Sequence, residues 1–307
     1  MPDRPRLRLG TRRSPLAMAQ AEEARAALLA AHPGLDIEIV PVTASGDRVQ
    51  GSLADAGGKA LWTKELDAWL LAGEIDFAVH SLKDVETIRP DEITIAAVLP
   101  REDVRDCLLG AASLADLPPG ARIGTSAPRR AALALRARPD CTVVGIRGNV
   151  ATRLAKLEAG EADATLLAMA GLNRLGLVHG VPLDPHEWLP APCQGAIAIE
   201  CRSDDPETRA MLSKIDHAPS HRAVHAERAL LAALGGNCHS PIAVLTEADG
   251  EMLAITAALL SPDGTEEVRG VARFAAGDTE APAALAADLL SRAGPAIRAH
   301  FDPPQGE

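Results

Sequence analysis

Aromatic residues are almost absent from this chain of 307 residues, which has three Phe, three Trp and no Tyr. The formal net charge is −11. The chain therefore lacks both the overall basic charge that attracts a phosphate backbone and the aromatic platforms on which unpaired bases stack. A nucleic-acid partner is disfavoured. Hydrophobic residues still make up 47% of the chain, which is enough for the cores of two or three domains.

Paired cysteines and long apolar segments are also missing. The five cysteines are odd in number and form no C-x-x-C pair, which disfavours a disulfide framework or a zinc ribbon. No uninterrupted apolar run approaches the roughly 18 residues of a membrane span, and the Arg-rich start lacks the apolar centre of a signal peptide. We therefore expect a cytoplasmic protein without a membrane partner.

Lysine is scarce, and the arginines are unevenly distributed. Only five of the 31 basic residues are lysine. Between residues 122 and 156, eight basic residues stand against one acid, Asp140, inside a chain that is acidic overall. Arginine binds carboxylates and phosphates through forked pairs of N–H groups. The segment therefore predicts a cavity that collects small anions.

Two segments of the first two hundred residues follow the same plan. Strands predicted over residues 6–9 and up to Ile123 each lead into a Gly-Thr turn with a proline and an arginine pair, then into a helix and a second strand. This alternation predicts two similar α/β lobes with mostly parallel sheets, which bind ligands where strands end and helices begin. After residue 218, a helix, three extended runs and a last helix over 281–300 predict a small α+β domain with a three-stranded antiparallel sheet.

A candidate catalytic segment, residues 80–84, follows the strand predicted over 77–79. Reactive groups of α/β proteins lie at such strand ends. Asp84, amid arginine-bearing turns, is expected to stay ionised and to stabilise a developing positive charge rather than donate a proton. A surface ion pair between Lys83 and Asp84 is the alternative.

Cys238 is the most informative cysteine. It follows a helix and the residues Gly-Gly-Asn, which can end that helix and leave the thiol on an exposed loop. Such a thiol is a poor protease nucleophile but can attack a strong electrophile once and remain alkylated; an unreactive loop cysteine is the alternative. Cys107, Cys141 and Cys201 are expected in the core, whereas the position of Cys193 stays open.

Three histidines spaced by four, at positions 217, 221 and 225, resemble a metal-binding helix face. Pro219 and Ser220 mark the helix start, however, so only His221 and His225 share a side, and we expect no metal. Glu227 lies on the apolar face of the same helix and is expected to be a paired structural carboxylate.

Motifs spread over almost the whole chain together resemble the porphobilinogen deaminases, also called hydroxymethylbilane synthases. The motifs are residues 9–17 (LGTRRSPLA), 57–59 (GGK), 78–84 (AVHSLKD), 124–126 (GTS), 147–154 (RGNVATRL), 194–196 (QGA) and Cys238. Their order and spacing together are highly specific.

The resemblance implies an α/β fold of two doubly wound lobes like those of solute-binding proteins, plus the α+β third domain. Domain 1 would comprise residues 1–99 and 196–215, domain 2 residues 103–191 and domain 3 residues 218–307. The protein would be a monomer.

The activity implied is that of a transferase in tetrapyrrole and heme biosynthesis. Cys238 would hold a covalent dipyrromethane through a thioether, and four porphobilinogens would be joined head to tail, each losing ammonia, before water releases linear hydroxymethylbilane. Asp84 would be the catalytic residue, and the partners would be porphobilinogen and the growing oligopyrrole. The cofactor-binding residues would be Ser81, Lys83, Thr125, Ser126, Arg129, Arg130 and Arg153, and the substrate-binding residues Arg12, Ser14, Arg147, Arg153, Arg174 and Gln194.

Four positions depart from the commonest pattern of the family: Asp55, Trp62, Ala127 and Asn237. None removes a catalytic group, but they leave open how residues 45–62 behave and whether one hydrogen bond to the primer forms. A non-catalytic, two-lobed protein that binds or senses small anions is the alternative function. A phosphate-handling transferase lacks support, since the chain has no P-loop Gly-Lys-Ser/Thr.

Overall fold

The computed structural model describes residues 6–42 and 63–303. In chain order, the strands are β1 (Leu7–Arg12), β2 (Ile37–Val42), β3 (Phe77–Ser81), β4 (Ile93–Val98), β5 (Asp106–Leu109), β6 (Arg122–Gly124), β7 (Thr142–Val144), β8 (Ala164–Ala168), β9 (Val181–Pro182), β10 (Ile197–Arg202), β11 (Ile242–Asp249), β12 (Met252–Leu260) and β13 (Glu267–Ala275). The α-helices are α1 (Pro15–Ala31), α2 (Lys64–Leu71), α3 (Pro128–Ala137), α4 (Val150–Glu158), α5 (Met169–Arg174), α6 (Pro206–Leu212), α7 (Ala218–Ala233), α8 (Glu280–Arg292) and α9 (Pro295–Arg298). Single 3₁₀ turns form at Leu82–Asp84 and Ser213–Ile215.

The chain divides into two compact units. Unit 1 comprises Met1–Arg101 with Ala196–His221, and unit 2 comprises Glu102–Gly195 with Arg222–Glu307. Predicted domain 2 and predicted domain 3 from Arg222 onward both fall in unit 2, where the two segments share one apolar core that includes Leu108, Ile123, Leu245 and Leu260. The division into three domains stays a prediction.

Unit 1 is built on a five-stranded sheet of order β2-β1-β3-β10-β4. The first three strands are parallel, and β10 runs antiparallel to both of its neighbours. Helix α1 buries Ala21, Ala24 and Leu28 in the same apolar core as Leu9 and Phe77 of the sheet. The strands β1 and β3 therefore present their carboxyl ends at one edge of the sheet.

Unit 2 repeats this plan and adds a second sheet. Its five-stranded sheet has the order β7-β6-β8-β5-β9, with β6 parallel to β7 and β8, and β5 antiparallel to β8 and β9. The strands β11, β12 and β13 form a three-stranded antiparallel sheet. The α/β class, the duplicated plan and the three-stranded sheet predicted from the sequence are therefore confirmed.

The structure corrects two predicted elements. The strand predicted over 6–9 extends to Arg12, because β1 pairs with β2 as far as the partners Arg12 and Val42. Gly10 thus lies inside a strand rather than in a turn, and a Cβ atom there would clash with the Ile75 side chain. The helix predicted over 281–300 ends at Arg292, because Gly294 is extended and Pro295, which lacks an N–H group, starts a new helix.

Several smaller expectations concern the cysteines and histidines. Cys107, Cys141 and Cys201 are buried as predicted, and Cys193 is buried too. Glu227 is buried and accepts a hydrogen bond from the Cys193 backbone N–H, so it is the paired carboxylate that was predicted. Within the described residues, no group of three His, Cys, Asp or Glu side chains is placed to hold a metal ion. In the same part of the chain, no helix combines the length and apolar character needed to cross a membrane.

Candidate active site

A pocket in unit 1 lies where β1 and β3 end and α1 begins. Arg12, Ser14, His80, Ser81 and Asp84 all line it. The adjacent parallel pairing of β1 with β3, in which Leu9 is opposite Phe77, puts the two strand ends side by side. Four of the residues that the sequence singled out, Arg12, Ser14, Ser81 and Asp84, are therefore brought together at this edge.

The backbone around the pocket is fixed by local hydrogen bonds. Ser14 is the N-cap of α1, and its Oγ atom accepts the Ala17 N–H at 3.3 Å. The buried Thr11 hydroxyl lies 3.3 Å from both the Ala17 and the Val79 carbonyl oxygens, which links β1, α1 and β3. The pocket wall is thus formed by the ends of three elements that are bonded to one another.

Gln20 is a polar residue of the pocket that sequence reasoning missed. Its side chain is buried in α1, and its amide Nε2 donates to the Ser81 Oγ atom at 2.8 Å. The available signal was a glutamine on the helix face that also carries the buried Ala17, Ala21 and Ala24. A polar side chain on such a face requires a buried partner, and Ser81 is that partner.

Asp84 lies at the end of the 3₁₀ turn and is exposed. The turn is held by the Leu82 N–H, which donates to the Ala196 carbonyl oxygen at 3.0 Å, and by the burial of Leu82 and Val85. Among the described residues, none makes a hydrogen bond or ion pair with the Asp84 carboxylate. The carboxylate is therefore available to a ligand, and its place depends on the backbone alone.

A buried ion network lies behind the pocket, and sequence reasoning missed it. Glu200, in the centre of β10, is fully buried, and its carboxylate contacts His80 at 3.2 Å and the Arg89 guanidinium at 2.9 Å and 3.0 Å. Arg89 also binds Asp67 at 2.6 Å. Burial alone would raise the pKa of Glu200, but His80 and Arg89 outweigh it and lower the pKa to about 2. The available signal was a lone acid within the apolar sequence IAIEC.

A second charged cluster lies inside unit 2 and is centred on Asp106. This fully buried carboxylate accepts hydrogen bonds from Arg129 and Arg130, each at 2.7 Å. It also accepts the Trp188 indole N–H at 3.0 Å and the Gln194 amide at 2.9 Å. Burial alone would raise the pKa of Asp106, but the two guanidinium groups outweigh it and hold that pKa far below its usual range.

The Asp106 cluster carries excess positive charge. Two guanidinium groups share one carboxylate, and Trp188 and Gln194 are neutral. Burial lowers the pKa of the Arg129 guanidinium even though Asp106 opposes that effect. The Nε atoms of Arg129 and Arg130 are buried and meet no acceptor among the described residues. A ligand carboxylate is the kind of group that would balance this charge.

The remaining predicted residues of unit 2 lie in the turns after β6 and β7 and in the helices α4 and α5. Thr125 is buried and accepts the Ala127 N–H at 3.2 Å, and the Ser126 hydroxyl donates to the Ile146 carbonyl oxygen at 2.9 Å. Arg153 donates to the Gly148 carbonyl oxygen at 2.9 Å, and Arg174 donates to that of Gly195 at 3.2 Å. Arg147, like Arg153 and Arg174, is half-buried.

The arginine cluster of the sequence is only partly a cluster in space. Arg122 pairs with Asp163 at 2.9 Å, Arg136 with Glu267 at 2.6 Å and Arg138 with Asp140 at 2.8 Å. Two of these acids lie outside the basic segment. The expectation that the whole segment lines an anion cavity is therefore wrong for these three arginines.

Cys238 lies in the loop between α7 and β11. Its side chain is exposed, whereas the other four cysteines are buried. Burial raises the pKa of both the Cys107 and the Cys201 thiols to about 11, so those two are poor nucleophiles. The loop turns at Gly235, which has a φ of +62°, and is fixed by the Ser240 hydroxyl, which donates to the His300 carbonyl oxygen at 3.0 Å. An accessible sulfur on a fixed loop fits a thioether attachment site.

Three expectations from the sequence cannot be placed. Asp55, Trp62 and the GGK motif at 57–59 lie outside the described residues. Lys83 lies in the 3₁₀ turn beside Asp84 and is half-buried.

These features first define a class of protein: an α/β protein with two five-stranded sheets and a third, antiparallel sheet, which carries a carboxylate at a strand edge, a buried arginine pair and one exposed thiol. Comparison with known families is specific. Residues 7–210 match the family model described as porphobilinogen deaminase, dipyromethane cofactor binding domain, and residues 221–291 match its C-terminal domain. The chain belongs to the porphobilinogen deaminase family, and it is therefore a transferase of tetrapyrrole biosynthesis whose cofactor is dipyrromethane.

Individual relatives agree with this assignment. The chain is 57% identical to a porphobilinogen deaminase of Sphingopyxis alaskensis, over 98% of each chain. It is 50% identical to the one of Nitrobacter hamburgensis, over 93% of each.

Among solved structures, an ancestral cationic amino acid solute-binding protein is 14% identical, with a TM-score of 0.43 over 72% of this chain and 93% of the other. A methionine-bound nutrient-binding protein from Burkholderia cenocepacia is 16% identical, also with a TM-score of 0.43, over 68% of this chain and 90% of the other.

Proposed function

We propose that this chain joins four porphobilinogen molecules head to tail on a dipyrromethane held by Cys238, releases ammonia at each addition and yields linear hydroxymethylbilane after hydrolysis. One observation carries the proposal: in a chain of this family, Cys238 is the one exposed thiol of five, on a loop held in place by Ser240. When bound, the dipyrromethane supplies the nucleophilic ring carbon to which the first substrate ring is joined.

Asp84 is the proposed catalytic residue. When the amino group of the aminomethyl arm of porphobilinogen leaves as ammonia, the carbon–nitrogen bond breaks, ammonia keeps the electron pair, and positive charge spreads over the remaining methylene carbon and the pyrrole ring. The Asp84 carboxylate accepts a hydrogen bond from the ring N–H and stabilises that charge. Its exposure at the end of a buried strand and turn supports this role, since the carboxylate is accessible while its backbone is held.

The acetate and propionate groups of each ring require cationic partners. We assign the incoming ring and growing chain to Arg12, Ser14, Arg147, Arg153 and Arg174. We assign the cofactor carboxylates to Lys83, Arg129, Arg130 and Arg153, with Ser81, Thr125 and Ser126 contributing hydroxyl or backbone N–H groups. The excess positive charge around Asp106 supports the assignment of Arg129 and Arg130. Gln194 is fully buried and donates to Asp106, so its proposed contribution to binding acts through that carboxylate.

The proposed setting is a monomeric cytoplasmic enzyme that has neither a nucleic-acid nor a membrane partner. The net charge of −11 and the scarcity of aromatic residues support the absence of nucleic acid. None of the five cysteines forms a disulfide, which supports a reducing compartment. Light scattering at several protein concentrations tests the monomer, since a mass that rises to twice that of the chain would contradict it.

Intact-protein mass spectrometry tests the proposed function. The purified chain should carry a mass excess equal to two condensed pyrrole units, and Cys238→Ser should lose both that excess and the turnover of porphobilinogen. Cys141→Ala is the matched control, because Cys141 is buried and should leave the excess unchanged. An unmodified wild-type chain that still consumes porphobilinogen would contradict the role of Cys238. An unmodified chain without turnover would favour a non-catalytic anion-binding protein.

A further inference from the structure

We propose that Glu200 is a positioning residue for Asp84: it holds the chain on both sides of Asp84 and so fixes where the carboxylate lies in the pocket. The inference depends on the proposed catalytic role of Asp84. It adds a residue, Glu200, that affects the reaction only by fixing the position of Asp84.

The two contacts of Glu200 bracket the catalytic segment. His80 precedes Asp84 by four positions and lies 3.2 Å from the Glu200 Oε2 atom. Arg89 follows Asp84 by five positions and donates to Oε1 at 2.9 Å and to Oε2 at 3.0 Å. One buried carboxylate on β10 therefore holds both ends of a ten-residue segment, residues 80–89.

Asp84 depends on the backbone around it for its position, because its side chain makes no hydrogen bond or ion pair with another described residue. The turn is fixed near its start by the Leu82 N–H, which donates to the Ala196 carbonyl oxygen. Beyond Val85, the side chain of Arg89 binds both Glu200 and Asp67 and so ties the end of the segment to β10 and α2. Loss of the contact between Arg89 and Glu200 would therefore loosen the chain that follows Asp84.

A carboxylate is the group that these contacts require. Both Glu200 oxygen atoms accept hydrogen bonds from the Arg89 guanidinium, and the His80 Nε2 atom lies 3.2 Å from Oε2. Glutamine has the same shape, but its amide nitrogen would place a donor against the donors of Arg89 or His80. Loss of one partner of a buried ion pair also leaves the other charge uncompensated. The Glu200→Gln substitution should therefore displace the segment while it keeps the side-chain volume.

The experiment compares Glu200→Gln with Asp76→Asn in the full chain that carries its cofactor. Asp76 is the matched control: its carboxylate binds Arg8 at 2.9 Å, in the same unit, at the opposite end of β3 from Asp84. We expect Glu200→Gln to keep the cofactor mass and the KM for porphobilinogen but to lower kcat roughly 10- to 100-fold, as a displacement of about 1 Å can do. Asp76→Asn removes a carboxylate that pairs with an arginine at the other end of β3 and should keep kcat.

A combined variant separates positioning from general stabilisation. The rate of the first substrate addition is measured by mass spectrometry with and without Glu200→Gln, in the wild type and in Asp84→Glu. If Glu200 acts through Asp84, Glu200→Gln should slow this addition far less in Asp84→Glu than in the wild type. Equal fold-losses in both backgrounds would overturn the inference, as would an unchanged kcat in Glu200→Gln.

Two further results complete the test. If Glu200→Gln does not fold, Arg89→Gln serves in its place, because it removes one anchor and leaves the contact between His80 and Glu200. An unchanged kcat in Arg89→Gln would then overturn the inference, and a lowered kcat with an unchanged KM would support it. Failure of the proposed function is distinguishable, because the wild-type chain would then lack turnover or the cofactor mass.

Discussion

The Nη2 atom of Arg129 lies 2.7 Å from the Oδ2 atom of Asp106, and both side chains are buried. These residues are 23 positions apart in the sequence. Arg129 lies in the first turn of α3, which follows β6, and Asp106 begins β5 in the same sheet as β6. The pair therefore links the charge of the proposed cofactor site to the stability of unit 2.

Removal of the Asp106 charge should destabilise the protein severely. Asp106→Asn leaves two buried guanidinium groups without a counter-charge, and loss of one partner of a buried ion pair costs about 3–5 kcal/mol. Urea denaturation of the purified variant measures this loss. Asp140→Asn, which breaks the exposed pair with Arg138, is the control and should change the free energy of unfolding little. Equal effects of the two substitutions would contradict the assigned energetics.

Asp84 should matter for turnover and not for folding. Asp84→Ala should lower turnover of porphobilinogen at least about 100-fold, because the developing positive charge loses its carboxylate. The melting temperature should stay close to that of the wild type, since Asp84 is exposed and bonds to no described side chain. Glu92→Ala removes another exposed carboxylate of unit 1 and should retain activity. Near-normal porphobilinogen consumption by Asp84→Ala would refute the catalytic role.

Gly264 and Gly250 offer a matched test of turn geometry in the three-stranded sheet. Both have positive φ, +73° and +62°. A Cβ at Gly264 would also clash with the Ala132 carbonyl oxygen and lie 2.6 Å from the Arg136 nitrogen, whereas nothing lies within 4 Å of one at Gly250. Gly250→Ala should destabilise by about 1 kcal/mol, and Gly264→Ala by about 2–4 kcal/mol. Chemical denaturation measures the loss in the free energy of unfolding for each variant. Similar losses would indicate that the backbone of α3 moves to accommodate a Cβ atom at Gly264.

Stability should depend on pH through Glu200. Its pKa falls from an ordinary value of 4.5 to about 2 in the folded chain, so its contribution is complete above 4.5 and is lost as the pH falls toward 2. The deficit of Glu200→Gln relative to the wild type should therefore shrink across that range. Urea denaturation of both proteins at several pH values provides the measurement, and a deficit independent of pH would argue against an ionised Glu200.

The sequence predicts elements well where their causes are local. The predicted order of a strand, a turn with a proline and a helix is found in both units, where Pro15 begins α1 and Pro128 begins α3. The helix predicted over 281–300 is shorter in the structure, because Gly294 and Pro295 separate α8 from α9. β1 was predicted too short, because its extension depends on pairing with β2.

The residues of the candidate site also separate into those that local sequence predicts and those that depend on distant contacts. The sequence by itself determined the family motifs, the position of Asp84 after a buried strand and the exposed loop of Cys238, because strand periodicity and helix termination act over a few residues. Only the tertiary structure decided which carboxylate each arginine meets, as Asp106 takes Arg129 and Arg130, and Glu200 takes an arginine 111 positions away. Such pairs form when the fold excludes water from both partners, and no pattern along the chain records which distant charges will be buried together.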